Sequence, residues 1–175
     1  MTIPLERFEV LIERYHDEIY GYLWRLMENS YSADGRVDAQ DLTQEVFLRA
    51  YKTYTRLRPD SNYRAWLYKI ATNCAYTTLK REKRRSGITF WEEAHQLPAD
   101  ESQSPDRVAA SNETMSAIRR AIGVLPAKQQ AAVIMRHVQG LAYAEIAQAL
   151  GCSEDSARAN VHQAIRRLRR ELKQE

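Results

Sequence analysis

Five side chains near the C-terminal end of the sequence, Arg158, His162, Gln163, Arg166 and Arg170, fall on one side of a helical wheel. Guanidinium, imidazole and carboxamide groups at that spacing donate to base edges and phosphate oxygens without making or breaking a covalent bond. The chemistry they suit is recognition. On the opposite side of the same helix Ala157, Val161, Ala164, Ile165, Leu168 and Leu172 form an apolar stripe at helical spacing. A helix buried along one side and cationic along the other suits the DNA major groove. A solvated basic face on an ordinary helical hairpin carries the same pattern, so the neighbouring elements must decide.

A second constellation lies in residues 63–85, where aromatic, amide and cationic side chains interleave. Lys69, Asn73, Tyr76 or Thr77, Lys80 and Arg84 follow one side of the predicted helix. Aromatic rings stack on unpaired bases for about 1–3 kcal/mol each while cations track the phosphates, so this mix suits a single strand or an opened duplex. Trp66 reads as a core residue, and Tyr68 fits the core and the binding face. Lys69 and Asn73 fit a binding face and a solvated face equally well.

Covalent chemistry finds little support. Asp38, Asp41 and Glu45 share one predicted helix and invite a metal-dependent reading, but no histidine or further acid converges on them. The four histidines, His16, His95, His137 and His162, have no ligand spacing. Cys74 and Cys152 are far apart and form no Cys-x-x-Cys, so they are expected to be reduced, partly buried thiols rather than zinc ligands. No glycine-rich phosphate loop is present. The expectation is no catalytic residue, no metal and no cofactor.

Charge is arranged in blocks. Residues 1–57 carry ten acidic and seven basic side chains, residues 64–85 one acidic and seven basic. Residues 92–113 carry six acidic and one basic, residues 154–173 three acidic and six basic. Two basic blocks separated by an acidic one predict two contacts with a polyanion, joined by a segment that avoids it. The formal net charge of +3 hides this pattern.

The elements that must position these groups all read as helix. Apolar periodicity predicts helices over 5–29, 38–57 and 63–85, with Leu42, Val46, Leu48, Ala50 and Tyr51 among the apolar positions of the second. A polar loop over 30–36 and a turn at Arg58-Pro-Asp-Ser-Asn62 separate them. Residues 87–112 lose the periodicity and read as a flexible acidic linker, with Phe90 and Trp91 as candidates to dock elsewhere. Helices resume at about Glu113, and Pro126 suits the start of the next. Tyr143-Ala-Glu-Ile-Ala-Gln-Ala-Leu150, Gly151-Cys-Ser153 and the basic helix then write a helix-turn-helix, with Gly151 at the turn and Ser153 as the cap. The fold class is all-α, as two helical domains, 1–86 and 113–175, joined by the linker 87–112. No signal peptide and no membrane-length apolar run are visible, so a cytoplasmic protein is expected.

The whole layout resembles an extracytoplasmic-function (ECF, group IV) sigma factor of bacterial RNA polymerase. Asp38-Ala-Gln-Asp-Leu-Thr-Gln-Glu-Val-Phe-Leu-Arg-Ala-Tyr51 resembles region 2.2. Tyr63-Arg-Ala-Trp-Leu-Tyr-Lys-Ile-Ala-Thr-Asn73 with its basic continuation resembles regions 2.3 and 2.4, and Leu125-Pro-Ala-Lys-Gln-Gln through Arg166-Arg-Leu-Arg-Arg170 resembles region 4. No region 1.1 and no full region 3 are visible, in keeping with group IV. The resemblance implies a transcription initiation factor that acts with RNA polymerase core and without a small-molecule substrate. Asp41, Gln44, Glu45 and Arg49 would contact the β′ clamp helices. Asn62, Tyr63, Lys69, Asn73, Lys80 and Arg84 would bind the −10 element, and the first four would open it and hold a flipped non-template base. Arg158, His162 and Gln163 would read the −35 element, with Arg166 and Arg170 on phosphates, and the same domain would meet the β flap. An anti-sigma protein that can hold the chain at the inner membrane is a further implied partner; direct membrane insertion is not.

Departures from the family pattern are local. Ala142 stands where a serine or threonine usually caps the first helix of the helix-turn-helix, a loss of about 1 kcal/mol. Ser156-Ala-Arg-Ala-Asn160 replaces the frequent Thr-Val-Lys-Ser-Arg, so Ala159 and Asn160 alter the −35 reading. Two rival readings make different demands. A plain regulator would bind duplex DNA unaided, and a metal-dependent enzyme would need histidine or further acids to converge on Asp38, Asp41 and Glu45.

Overall fold

A computed structural model of the chain describes residues 7–28, 39–86 and 107–173. The loop at 30–36, Asp38, and the segment holding Phe90 and Trp91 lie outside the described residues. The described residues form seven helices: α1 (Phe8–Met27), α2 (Ala39–Tyr54), α3 (Tyr63–Ser86), α4 (Arg107–Gly123), α5 (Ala127–His137), α6 (Tyr143–Leu150) and α7 (Glu154–Glu171). No strand occurs among the described residues. α4 begins at Arg107, six residues earlier than the apolar periodicity places it.

The first three helices pack on one another. Leu11, Ile19, Tyr22, Leu23 and Leu26 of α1, Val46 and Ala50 of α2, and Leu67, Tyr68 and Ala71 of α3 are sealed from solvent. Each leucine, isoleucine or valine among them contributes about 1.5–3 kcal/mol through burial, so this core dominates the module. The Tyr22 and Thr72 hydroxyls within it are paired. The Thr72 hydroxyl donates to the Tyr68 carbonyl at 2.7 Å and receives the Tyr22 hydroxyl at 2.9 Å. Burial, first of all, raises the Tyr22 and Tyr68 phenols above their ordinary range. Two residues counted with the apolar stripe of α2 are not in this core: Leu48 is 63% exposed and Tyr51 65%. The stripe instead continues through Thr43, Phe47 and Tyr54.

The second group, α4 to α7, packs α5 and α6 against α7. Ile134, Met135, Leu141, Ile146 and Val161 are buried there. Gly151 adopts φ 62°, the left-handed conformation that closes α6 without a Cβ clash. Ser153 then caps α7, its hydroxyl accepting the Ser156 N–H at 3.1 Å. Ala142 supplies no side-chain cap to α6, as the sequence implied, but Glu145 accepts the Ala142 N–H at 2.9 Å and secures that end from the other direction. Leu172 lies past the end of α7 and is 40% exposed, so it drops out of the apolar stripe.

The two groups are also packed together. α6 lies along α3 and α5 meets α1, so their buried residues form one continuous cluster.

Candidate nucleic-acid interface

α7 presents the face its sequence dictates. Ala157, Val161 and Ala164 are buried, Ile165 and Leu168 are half-buried, and Arg158, His162, Gln163, Arg166 and Arg170 are all exposed. Glu154 and Asp155 in its first turn suit the positive end of the helix dipole. Arg158 is held in place: it donates to Glu154 at 3.1 Å, and its guanidinium lies 4.5 Å from the centre of the Tyr143 ring. Arg136 stacks on the same ring at 4.6 Å. Gln163 accepts from the buried Gln129 amide at 2.9 Å, which ties the recognition helix to α5. His162, Arg166, Arg169, Arg170 and Lys173 surround one open depression, a concentration of cations suited to phosphate. Arg169 and Lys173 escaped the sequence reading, although their spacing from Arg166 and Arg170 carried the signal. Asn160 is half-buried and donates back to the Ser156 carbonyl at 2.8 Å, so its amide N–H serves the helix.

α3 is embedded more deeply. Ala65, Leu67, Tyr68, Ala71, Thr72, Cys74, Ala75 and Thr78 are buried, leaving a narrow exposed strip. Lys69, Asn73, Thr77, Lys80 and Arg84 lie on it. Trp66 is half-buried against the core, and Tyr76, also half-buried, donates its hydroxyl to the Ala127 carbonyl of α5. Burial pushes the Cys74 thiol up, which keeps it a neutral thiol.

The start of α3 carries a network that the sequence does not reveal. Asn62 caps the helix, its Oδ1 accepting the Ala65 N–H at 3.0 Å, while its Nδ2 donates to Glu145 of α6 at 3.3 Å. Tyr63 is half-buried with its hydroxyl enclosed and unpartnered. Arg64 donates through Nε to Glu18 of α1 at 2.7 Å, and through its terminal nitrogens to the Gln139 carbonyl at 2.7 Å and Glu145 at 3.5 Å. Tyr68 donates to the same Glu18 oxygen at 2.9 Å. Burial works against the Arg64 charge, but Glu18 and Glu145 outweigh it and hold the guanidinium more firmly charged than usual.

On α2, Asp41, Gln44, Glu45 and Arg49 are exposed together with Leu48 and Tyr51. Arg49 donates to Glu45 at 2.8 Å, one turn away. The surface is thus a mixed polar and apolar strip with the make-up of a protein contact. Among the described residues no three metal-capable side chains converge, and no helix is long and apolar enough to cross a membrane.

Comparison with known proteins gives one pattern. The sigma-70 region 2 family profile matches residues 11–85 and the sigma-70 region 4 profile residues 115–168. The RNA polymerase sigma-H factor of Pseudomonas aeruginosa is 30% identical over 165 residues, covering 90% of this chain and 81% of its own. The ECF RNA polymerase sigma factor SigX of Bacillus subtilis is 27% identical over 171 residues, covering 95% and 84%. In shape, the chain is similar to the sigma factor RpoE of Bartonella quintana, solved with the anti-sigma factor NepR. The TM-score is 0.68 at 24% identity, over 95% of this chain and 96% of that one. CnrH, solved with the cytosolic domain of CnrY, gives 0.67 at 17% identity over 96% and 88%.

Proposed function

As the chain belongs to the sigma-70 family of RNA polymerase sigma factors, in its ECF branch, we propose how its surfaces divide the labour of that family. The protein is a promoter-recognising initiation factor and not an enzyme; RNA polymerase and promoter DNA are its partners. Residues 1–86 form the module that binds polymerase and the −10 element, and residues 113–175 the module for the −35 element.

The exposed strip of α2, with Asp41, Gln44, Glu45 and Arg49, docks on the β′ clamp helices, and Leu48 and Tyr51 add the apolar area that polar side chains alone lack. Lys69, Asn73, Lys80 and Arg84 on α3 track the non-template strand, while Asn62 and Tyr63 border the pocket for an extruded base. Arg158, His162 and Gln163 meet base edges of the −35 element, where a bidentate contact discriminates by about 1–3 kcal/mol. Arg166 and Arg170, with Arg169 and Lys173 beside them, take phosphates. The second module also meets the β flap. An anti-sigma protein that covers both modules keeps the chain idle in the cytoplasm or at the inner membrane.

The observation that supports this reading best is the pair of cationic helix faces, one on α3 and one on α7, each backed by buried side chains in a single chain. Two linked contacts raise the effective concentration at the second element once the first is bound. The test is run-off transcription with sigma-free core polymerase on a promoter library. Initiation at defined start points is expected, and its absence on every template would refute the assignment.

A further inference from the structure

We propose that Arg64, with Asn62, forms a phosphate-binding site on the −10 strand path, and that Glu145 of α6 occupies this site whenever the two modules are docked. The proposal rests on the reading of α3 as the −10 helix.

The geometry of Arg64 separates its two edges. The Nε edge belongs to the first module, where Glu18 accepts from Nε at 2.7 Å and from a terminal nitrogen at 2.6 Å. Glu18 is itself fixed by the Tyr68 hydroxyl. These contacts aim the guanidinium and remain when the modules part. The outer partners are both in the second module: the Gln139 carbonyl and the Glu145 carboxylate. When α6 moves away, the terminal nitrogen that faces Glu145 loses its acceptor, the one shared with Glu18 loses the Gln139 carbonyl, and the Asn62 amide loses Glu145. Half-buried cationic donors left without acceptors take the next anion available, and a guanidinium fork matches a phosphodiester well.

Glu145 is therefore a carboxylate standing where a phosphate would stand. Its Oε1 takes the Asn62 amide and its Oε2 faces Arg64. Docking also holds Tyr76 on the Ala127 carbonyl, next to the exposed strip of α3. The docked chain and the strand-bound chain are thus mutually exclusive. Strand binding selects the open form, and loss of Glu145 removes part of the penalty for opening.

The experiment uses the full chain and a fluorescent single-stranded oligodeoxynucleotide, with small-angle scattering on the same samples. Glu145→Gln keeps the size and an acceptor for the α6 terminus but removes the charge. It is expected to enlarge the radius of gyration and tighten strand binding by about fivefold to tenfold at low salt. Arg64→Lys in the Glu145→Gln background keeps the charge but loses the fork; it is expected to return the affinity to the wild-type level while the chain stays open. Helix content by circular dichroism shows that each variant is folded. An unchanged radius for Glu145→Gln overturns the docking role. An open Glu145→Gln chain that binds the strand no tighter, or a tightening that survives Arg64→Lys, overturns the phosphate site. Scattering needs no nucleic acid, so failure of the latch and failure of the −10 assignment are read separately.

Discussion

α3 and α7 are both long cationic helices, yet they are embedded in opposite ways. α7 buries one stripe of small side chains and turns the rest of its circumference to solvent. α3 is buried along most of its length and shares its N-terminal end with α6. The difference matches their tasks. A helix that enters a major groove must stand clear of its own domain. A helix that receives a melted strand must be rigid enough to hold aromatic and amide groups apart from one another. Rigidity of α3 thus comes from the first module, and access to it depends on the second.

The largest effect should come from the core behind α3. Leu67→Ala empties a fully buried site and is expected to cost about 2–5 kcal/mol, whereas Leu168→Ala, on the half-buried side of α7, should cost less than half of that. Urea denaturation followed by circular dichroism measures both, and equal losses would erase the proposed contrast in embedding.

Next is alkaline stability. Tyr22 and Tyr68 keep their protons in the fold at pH values where the unfolded chain loses them. Their stabilisation is complete below pH 10 and falls as pH rises further, by about 1.4 kcal/mol per pH unit for each tyrosine. Both belong to the first module, and the second has no buried tyrosine among its described residues. Hydrogen-exchange protection should therefore collapse in α1 and α3 before α5 and α7 as the pH is raised; simultaneous loss would show that the modules unfold as one.

The caps give a smaller contrast. Ser153→Ala is expected to cost about 1 kcal/mol, and Asn62→Ala more, because it also releases Glu145. Identical midpoints in urea would mean that the contact with α6 adds nothing.

The smallest effect concerns the form of DNA each face meets. In the polymerase complex, Arg166→Ala should lower the slope of log affinity against log salt by about 0.9, the duplex value, and Lys69→Ala by about 0.7, the single-strand value. A common slope would indicate that both helices contact the same form.

How far the sequence carried depended on periodicity. The helices, the turn at Gly151 and the cap at Ser153 follow from local rules, and α7 was the easiest to read because its apolar stripe is continuous. Leu48 and Tyr51 were misplaced because α2 is flanked on its inner side by Thr43 and Phe47, which leaves a second apolar edge facing out. The start of α4 was hidden because its first turn, Val108 to Ala110, is cut off from the later apolar positions by the polar run Ser111 to Thr114. The network of Glu18, Arg64, Gln139 and Glu145 was illegible for a different reason. Arg64 and Glu145 stand 81 residues apart, and a pairing at that separation leaves no repeat in the sequence. Asn62 could have been recognised as a helix cap, being an asparagine just ahead of an apolar-periodic run.

The carboxylate of Glu145 serves two masters, since the oxygen that faces Arg64 also anchors the Ala142 N–H at the start of α6. When the halves swing apart, that inner anchor stays behind and the helix keeps its beginning. Parting then demands no melting of α6; its cost is the exchange of these polar contacts for water and the uncovering of the apolar side chains that join the two groups.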